Sequence, residues 1–133
     1  MQSKKGFNLT ELIVVVVVIA ILAALALPNF GAFKEKSLDK EAKASLALIQ
    51  AAEKIYKMET NDYFPNDGSS ESDIDTINTY LKLSLPTSNA NWSYSVNANG
   101  GTGGYTTATH AGRTWSLPFS SDTYNCSPAS ACN

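Results

Sequence analysis

The sequence predicts an α+β chain. A long N-terminal helix, apolar in its first half and amphipathic in its second, packs against a small antiparallel sheet of about three strands, and a disulfide closes the C-terminal tail. Three observations predict it. Residues 12–27 contain no charge, no Gly and no Pro. From Leu38 to Tyr56 apolar residues recur at three/four spacing. Between residues 92 and 119, three short runs alternate in character or are rich in Thr. At 133 residues the natural count is one small domain plus the N-terminal segment.

Residues 7–10 extend the apolar run to ~20 residues, enough for a helix to cross the ~30 Å hydrocarbon core. Lys4 and Lys5 precede it, and positive residues hold a terminus on the cytoplasmic side, which puts the bulk of the chain outside the cytoplasm. A secretory signal peptide cleaved near the Ala-rich end is the simpler alternative. Three features oppose it: the run is longer than a usual signal core, Glu11 stands where only apolar residues belong, and a helical pattern resumes after Pro28-Asn29-Phe30. A lone acid in a spanning helix costs roughly 2.5–3.5 kcal/mol at the membrane centre and less near its edge, so it needs a partner.

The octet Lys4-Lys5-Gly6-Phe7-Asn8-Leu9-Thr10-Glu11 and its Val/Ile run resemble the class III leader of type IV pilins and pseudopilins. The resemblance is specific over residues 1–33 and weaker to about Phe64. It implies cleavage after Gly6 by a prepilin peptidase and N-methylation of the new N-terminal Phe7. It makes Glu11 the assembly carboxylate. It implies the partners too: further copies in a homo-oligomeric helical filament, an assembly platform in the inner membrane, and the membrane itself before assembly. Asn8 stands where Thr is commoner. The parts implied are a leader (1–6), a transmembrane and assembly half-helix (7–33) and a pilin-like globular domain (34–133). The chemistry is consistent with this. Gly6 has no side chain to obstruct a protease, and cleavage there frees an amine that Glu11 of the same or a neighbouring chain could neutralise. The alternative for Glu11 is simple complementation of the positive helix N-terminus.

Pro28 removes a helical hydrogen bond and predicts a kink, or else marks the membrane exit with Asn29 and Gly31. Beyond it Leu38, Ala42, Ser45, Leu46, Ile49, Ala52 and Tyr56 form a stripe that Leu48, Ala51, Ile55 and Met58 broaden. Asp39–Lys43 and Glu53–Lys57 have the spacing of surface ion pairs. The helix therefore runs from Phe7 to about Asn61, ~80 Å at 1.5 Å per residue. A connecting loop (62–91) follows, holding a short helix from Asp73 to Leu83 capped by Ser72 or Ser70. The carboxylates of Asp67, Glu71, Asp73 and Asp75 lack calcium-loop spacing and read as caps and solvated surface.

The sheet (92–119) is a three-strand meander with Trp115, Leu117 and Phe119 on one face and Pro118 at an edge or strand end. The tail (120–133) reads as loop held by Cys126 and Cys132, which outside the cytoplasm pair as a disulfide stabilising by ~2–2.5 kcal/mol in the chain-entropy model.

No enzyme, cofactor or metal site emerges. His110 is the only histidine and sits beside a turn, and the glycines at 100–104 lack the Lys and helix of a phosphate loop. The single arginine, Arg113, argues against a nucleic-acid surface. Asn91-Trp92-Ser93 and Asn125-Cys126-Ser127 match a glycosylation pattern. The expected function is a structural subunit of a type IV pilus-like filament, stored in the membrane and exposed at the cell surface. The alternatives are a short periplasmic pseudopilus for protein export and, in another class, a membrane-anchored binding module.

Overall fold

A computed structural model describes residues 6–26, 30–88, 90–99 and 103–132, and residues 27–29 only as helical backbone. Pro28 and its expected kink therefore lie outside the described residues, as do Lys4 and Lys5. The chain falls into two units, one ending at Lys36 and one beginning at Ser37.

The first unit is helical from Leu9, the start of α1 (Leu9–Thr60). Its stretch Leu9–Ala26 is long and apolar enough to cross a membrane, and none of it is buried within the chain. With no Gly or Pro and a row of β-branched residues, this segment has little to favour it in water beyond its own hydrogen bonds; its apolar surface needs other cover.

The second unit is the α+β domain. Its part of α1 buries Leu38, Ala42, Leu46, Ile49 and Ala52 in one core cluster. The opposing residues come from the sheet, whose strands alternate with period two: Tyr94 and Val96, then Thr106 and Ala108, then Arg113, Trp115 and Leu117, are the buried set. Phe119, 1% exposed, continues that face.

The sheet has five strands, not three. The meander is β2 (Ser93–Asn97), β3 (Tyr105–His110) and β4 (Arg113–Pro118), all antiparallel. Two short edge strands flank it. β1 (Ser70–Glu71) pairs with Asn97 and Val96, and β5 (Asn125–Ser127) pairs with residues 114–116. Strands of two and three residues carry no alternation for a sequence to display; their neighbours' backbone groups create them. The connecting loop and the tail are thus partly sheet. The β3–β4 turn is Ala111-Gly112, both with positive φ (48° and 77°), the two-residue geometry that matches sheet twist. A Cβ at Gly104 would meet the Asn97 carbonyl and lie 2.7 Å from Phe119 Cε2, so the chain passes there only as glycine.

The short helix α2 (Ile74–Leu81) is capped by Asp73, whose carboxylate accepts the Thr76 N–H at 3.0 Å, rather than by Ser70 or Ser72. Charge at a helix N-terminus explains the preference. Ile77 and Leu81 point inward as expected. Cys126 and Cys132 are disulfide-bonded, tying β5 to the 3-10 turn at Ala129–Ala131.

Candidate assembly site

Glu11 sits in the first turn of α1. Its Oε2 accepts the backbone N–H of Asn8 at 3.1 Å, and Asn8 Oδ1 accepts the Thr10 N–H at 3.4 Å. The carbonyl of Asn8 meanwhile accepts from Leu12 N and Glu11 N. Asn8 is thus the N-cap, and Glu11, three residues on, closes a reciprocal capping arrangement. The pattern Asn8-x-x-Glu11 carries that signature in the sequence itself. Gly6, Phe7 and Glu11 are all solvent-exposed, Phe7 at 80%. Among the described residues nothing lies within 4 Å of where a Gly6 side chain would stand. The arrangement places an acceptor carboxylate on the amide next to Phe7, the residue whose nitrogen would become an amine if the chain were cut after Gly6.

Elsewhere the charged residues have partners unlike the surface pairs their spacing predicts. Asp39, 2% exposed, lies 3.0 Å from Arg113 Nε and accepts the Trp115 Nε1–H at 3.0 Å. Lys43 lies over the Trp115 ring, 3.9 Å from its centroid. Glu53 is fully buried and accepts the Phe64 N–H at 2.9 Å, while Lys57 lies 4.1 Å over the Tyr63 ring. A helical surface pair is worth only a few tenths of a kcal/mol, so both acids take stronger partners inside. Burial pushes the Glu53 carboxyl up to about 7 against the opposing Phe64 hydrogen bond.

Asp67, Glu71 and Asp73 bind backbone N–H groups of Ser69, Ser72, Asp73 and Thr76 at 2.8–3.0 Å, the cap role their composition predicts. Hydrogen bonds from Ser69 and from Thr76 hold Asp67 and Asp73 below the usual carboxylate range. His110 ends β3, with Nδ1 against the Asn91 carbonyl and its ring 5.3 Å from Trp92. Leu48, Ala51, Ile55 and Met58 do not join the core: Leu48 is 49% exposed and Met58 75%.

Three relatives show the company this chain keeps. It is 44% identical over 59 residues to the type IV major pilin protein PilA of Myxococcus xanthus, covering 44% of this chain and 27% of that protein. It is 30% identical over 96 residues to the type IV wide pilus major component PilA4 of Thermus thermophilus, covering 72% of this chain and 66% of that protein. It is 35% identical over 63 residues to the type II secretion system core protein G of Klebsiella pneumoniae, covering 47% of this chain and 45% of that protein. The chain therefore spans less than two thirds of the relatives' own length. No family model matches the chain, and no solved structure matches it.

Proposed function

The chain belongs to the family of type IV pilins and type II secretion pseudopilins, and from that premise we propose that it is a filament subunit polymerised through its apolar N-terminal helix. The observation that carries the reading is the Leu9–Ala26 stretch, apolar, helical and wholly uncovered within the chain. Lipid covers it before assembly and neighbouring helices cover it afterwards.

In this reading a prepilin peptidase cuts after Gly6 and Phe7 is N-methylated. Glu11 pairs with the Phe7 amine of an adjoining subunit and sets the axial register. The carboxylate bound to the Asn8 N–H lies one residue from the Phe7 nitrogen of its own chain, and its lone pairs suffice for a second donor, which a neighbour's amine would supply. Burying one charge without the other would be costly, so the pair forms together or the subunit stays in the membrane. An assembly platform in the inner membrane supplies the subunits.

A pseudopilus for protein export is the second reading, favoured by the likeness to the secretion-system core protein. The N-terminal mass of protein sheared from cells separates the two. A peptide beginning at methylated Phe7 in the sheared fraction supports the pilus. The same peptide confined to the envelope supports the pseudopilus. Cleavage near residues 24–26, or none, overturns both.

A further inference from the structure

The solvent face of the sheet has a composition of its own. Residues opposite one another on neighbouring strands share a face, so the register sorts it into rows. One row runs Ser95, Thr107, Ser116 and Asn125, and the next Ser93, Thr109, Thr114 and Ser127. Asn97, Tyr105 and Pro118 continue it at one end. None of these residues is buried and none is charged. The charged side chains of the strands fall on the other face, Glu71 opposite Val96 and Arg113 in the buried set with Trp115. An ordinary protein surface is roughly a quarter to a third charged, so this face is set apart by having no charge at all. Hydroxyls already pair across the strands: Ser95 Oγ and Thr107 Oγ1 are 2.6 Å apart, and Thr109 Oγ1 and Thr114 Oγ1 3.1 Å. Each such pair uses one donor and one acceptor and keeps a second donor and further lone pairs for a ligand. Tyr105 is 43% exposed, whereas Tyr94, Trp115 and Phe119 are buried in the core. Beside its ring a hollow of about 300 Å3 is lined by Asn99, Gly104, Tyr105, Ser116, Pro118 and Asn125. That volume is at the small end of ligand sites, and the lining brings an aromatic ring, two primary amides and a hydroxyl to one place.

We infer that this face binds an uncharged polysaccharide, one sugar seated in the hollow beside Tyr105 and its neighbours laid along the hydroxyl rows. A sugar ring has a C–H face and a rim of hydroxyls, each both donor and acceptor. The C–H face lies on the Tyr105 ring. The Asn99 and Asn125 amides, each with two donors and an acceptor, meet adjacent hydroxyls on the rim. The absence of charge selects the class. A nucleic acid or an acidic glycan calls for Lys or Arg, and the face has neither. A protein partner calls for a cluster of aromatic or apolar anchors, and the face offers a single ring at one end. The inference goes beyond assembly: all of these residues belong to one copy of the chain, so it stands whether or not the chain forms filaments.

Retention of the full chain on immobilised glycans tests it, in micelles of a detergent that carries no sugar. Amylose, cellulose, chitin and mannan are the neutral probes and alginate is the acidic one. The expected result is retention on at least one neutral probe, unchanged within about twofold across a roughly tenfold range of salt, since no ion pair is involved. Tyr105→Ala should weaken it about tenfold or more, and Tyr105→Phe, which keeps the ring, by no more than about threefold. Tyr80→Ala, which removes an exposed ring from α2 instead, should leave retention as it was. Unfolding midpoints are read beside each variant. Should Tyr105→Ala lose its fold, Asn125→Ala decides: Asn125 is exposed on the edge strand β5, and its loss should weaken retention with the midpoint kept. Failure on all four neutral probes overturns the proposal. So does retention on alginate alone that falls with salt, which marks an acidic partner. Equal losses from Tyr105→Ala and Tyr80→Ala also overturn it, because the binding then belongs to any exposed ring and not to this face.

Discussion

The carboxylate of Glu53 accepts the backbone N–H of Phe64 at 2.9 Å and is sealed from solvent. It ties α1 to the segment that leaves it. Its Oε1 has no hydrogen-bond partner among the described residues. Burial raises its pKa from 4.5 to about 7. The sign follows from linkage: a raised acid binds its proton more tightly when folded. The contribution is present in full below about pH 4.5 and is lost as pH rises through about 7. The loss amounts to about 3 kcal/mol, because each tenfold gain in proton affinity is worth roughly 1.4 kcal/mol. Glu53→Gln keeps an acceptor for Phe64 and cannot ionise. Urea titrations from pH 4.5 to 8 should show falling stability for the native chain and a flatter profile for the variant, which is the more stable protein at pH 8. Parallel profiles would contradict this account. Asp67 and Asp73, whose pKa values are lowered, act only below that window.

The Asp39–Arg113 pair makes a second prediction. Both side chains are nearly sealed, at 3% and 8% exposure, and Trp115 donates to the same oxygen of Asp39. Removing one partner leaves a buried charge uncompensated. Arg113→Met should therefore cost about 3–5 kcal/mol. Asp39→Asn combined with Arg113→Met should recover much of that loss, since neither charge remains. A double variant as weak as the sum of the singles, measured by denaturant midpoint, would show that the pair is not the unit of stability.

These two acids also show what the sequence displays and what it conceals. Leu38, Ala42, Leu46, Ile49 and Ala52 are legible as core because apolar residues recur there at helical spacing, although the same spacing in Leu48, Ala51, Ile55 and Met58 marks residues that stay exposed. Trp115, Leu117 and Phe119 are legible for the same reason at period two. Asp39 and Glu53 continue the spacing of Ala42, Leu46 and Ile49, so position alone could have placed them inside. Their charge points the other way, and the i,i+4 lysines offer ready surface partners. Which side wins depends on Trp115, Arg113 and the Phe64 amide, groups 11 to 76 residues distant in the chain. β1 and β5 are concealed more deeply, because backbone pairing defines them and their side chains do not. The Glu11 cap is local, and Asn8-x-x-Glu11 spells it out in full.

The disulfide gives a third prediction. Cys126 sits in the middle of β5, opposite Trp115, and Cys132 follows the 3-10 turn. Replacing both with Ser should cost about 2–2.5 kcal/mol in the chain-entropy model. The loss should be local to the edge: amides of β5 should exchange faster, while those of β2 and β3 keep their protection. Uniform acceleration across the sheet would mean that β5 supports the entire fold.

Glu11 has a local role and a proposed collective one, and two substitutions separate them. Glu11→Gln retains an acceptor for the Asn8 N–H and loses the charge; Glu11→Ala loses both. Capping alone is worth about 1 kcal/mol at a helix start, and the apolar stretch that follows Glu11 is held helical in lipid regardless. Local capping therefore predicts near-normal assembly for Glu11→Gln and a modest defect for Glu11→Ala. Pairing with a neighbour's Phe7 amine makes the charge decisive and the retained acceptor irrelevant. Both variants should be cleaved after Gly6 and both should remain in the membrane fraction, with filament yield reduced severely and alike. The comparison is made on sheared protein, with processing checked by mass. If Glu11→Gln filaments appear at native yield, the charge is not the assembly determinant and the capping bond is the whole of what Glu11 does.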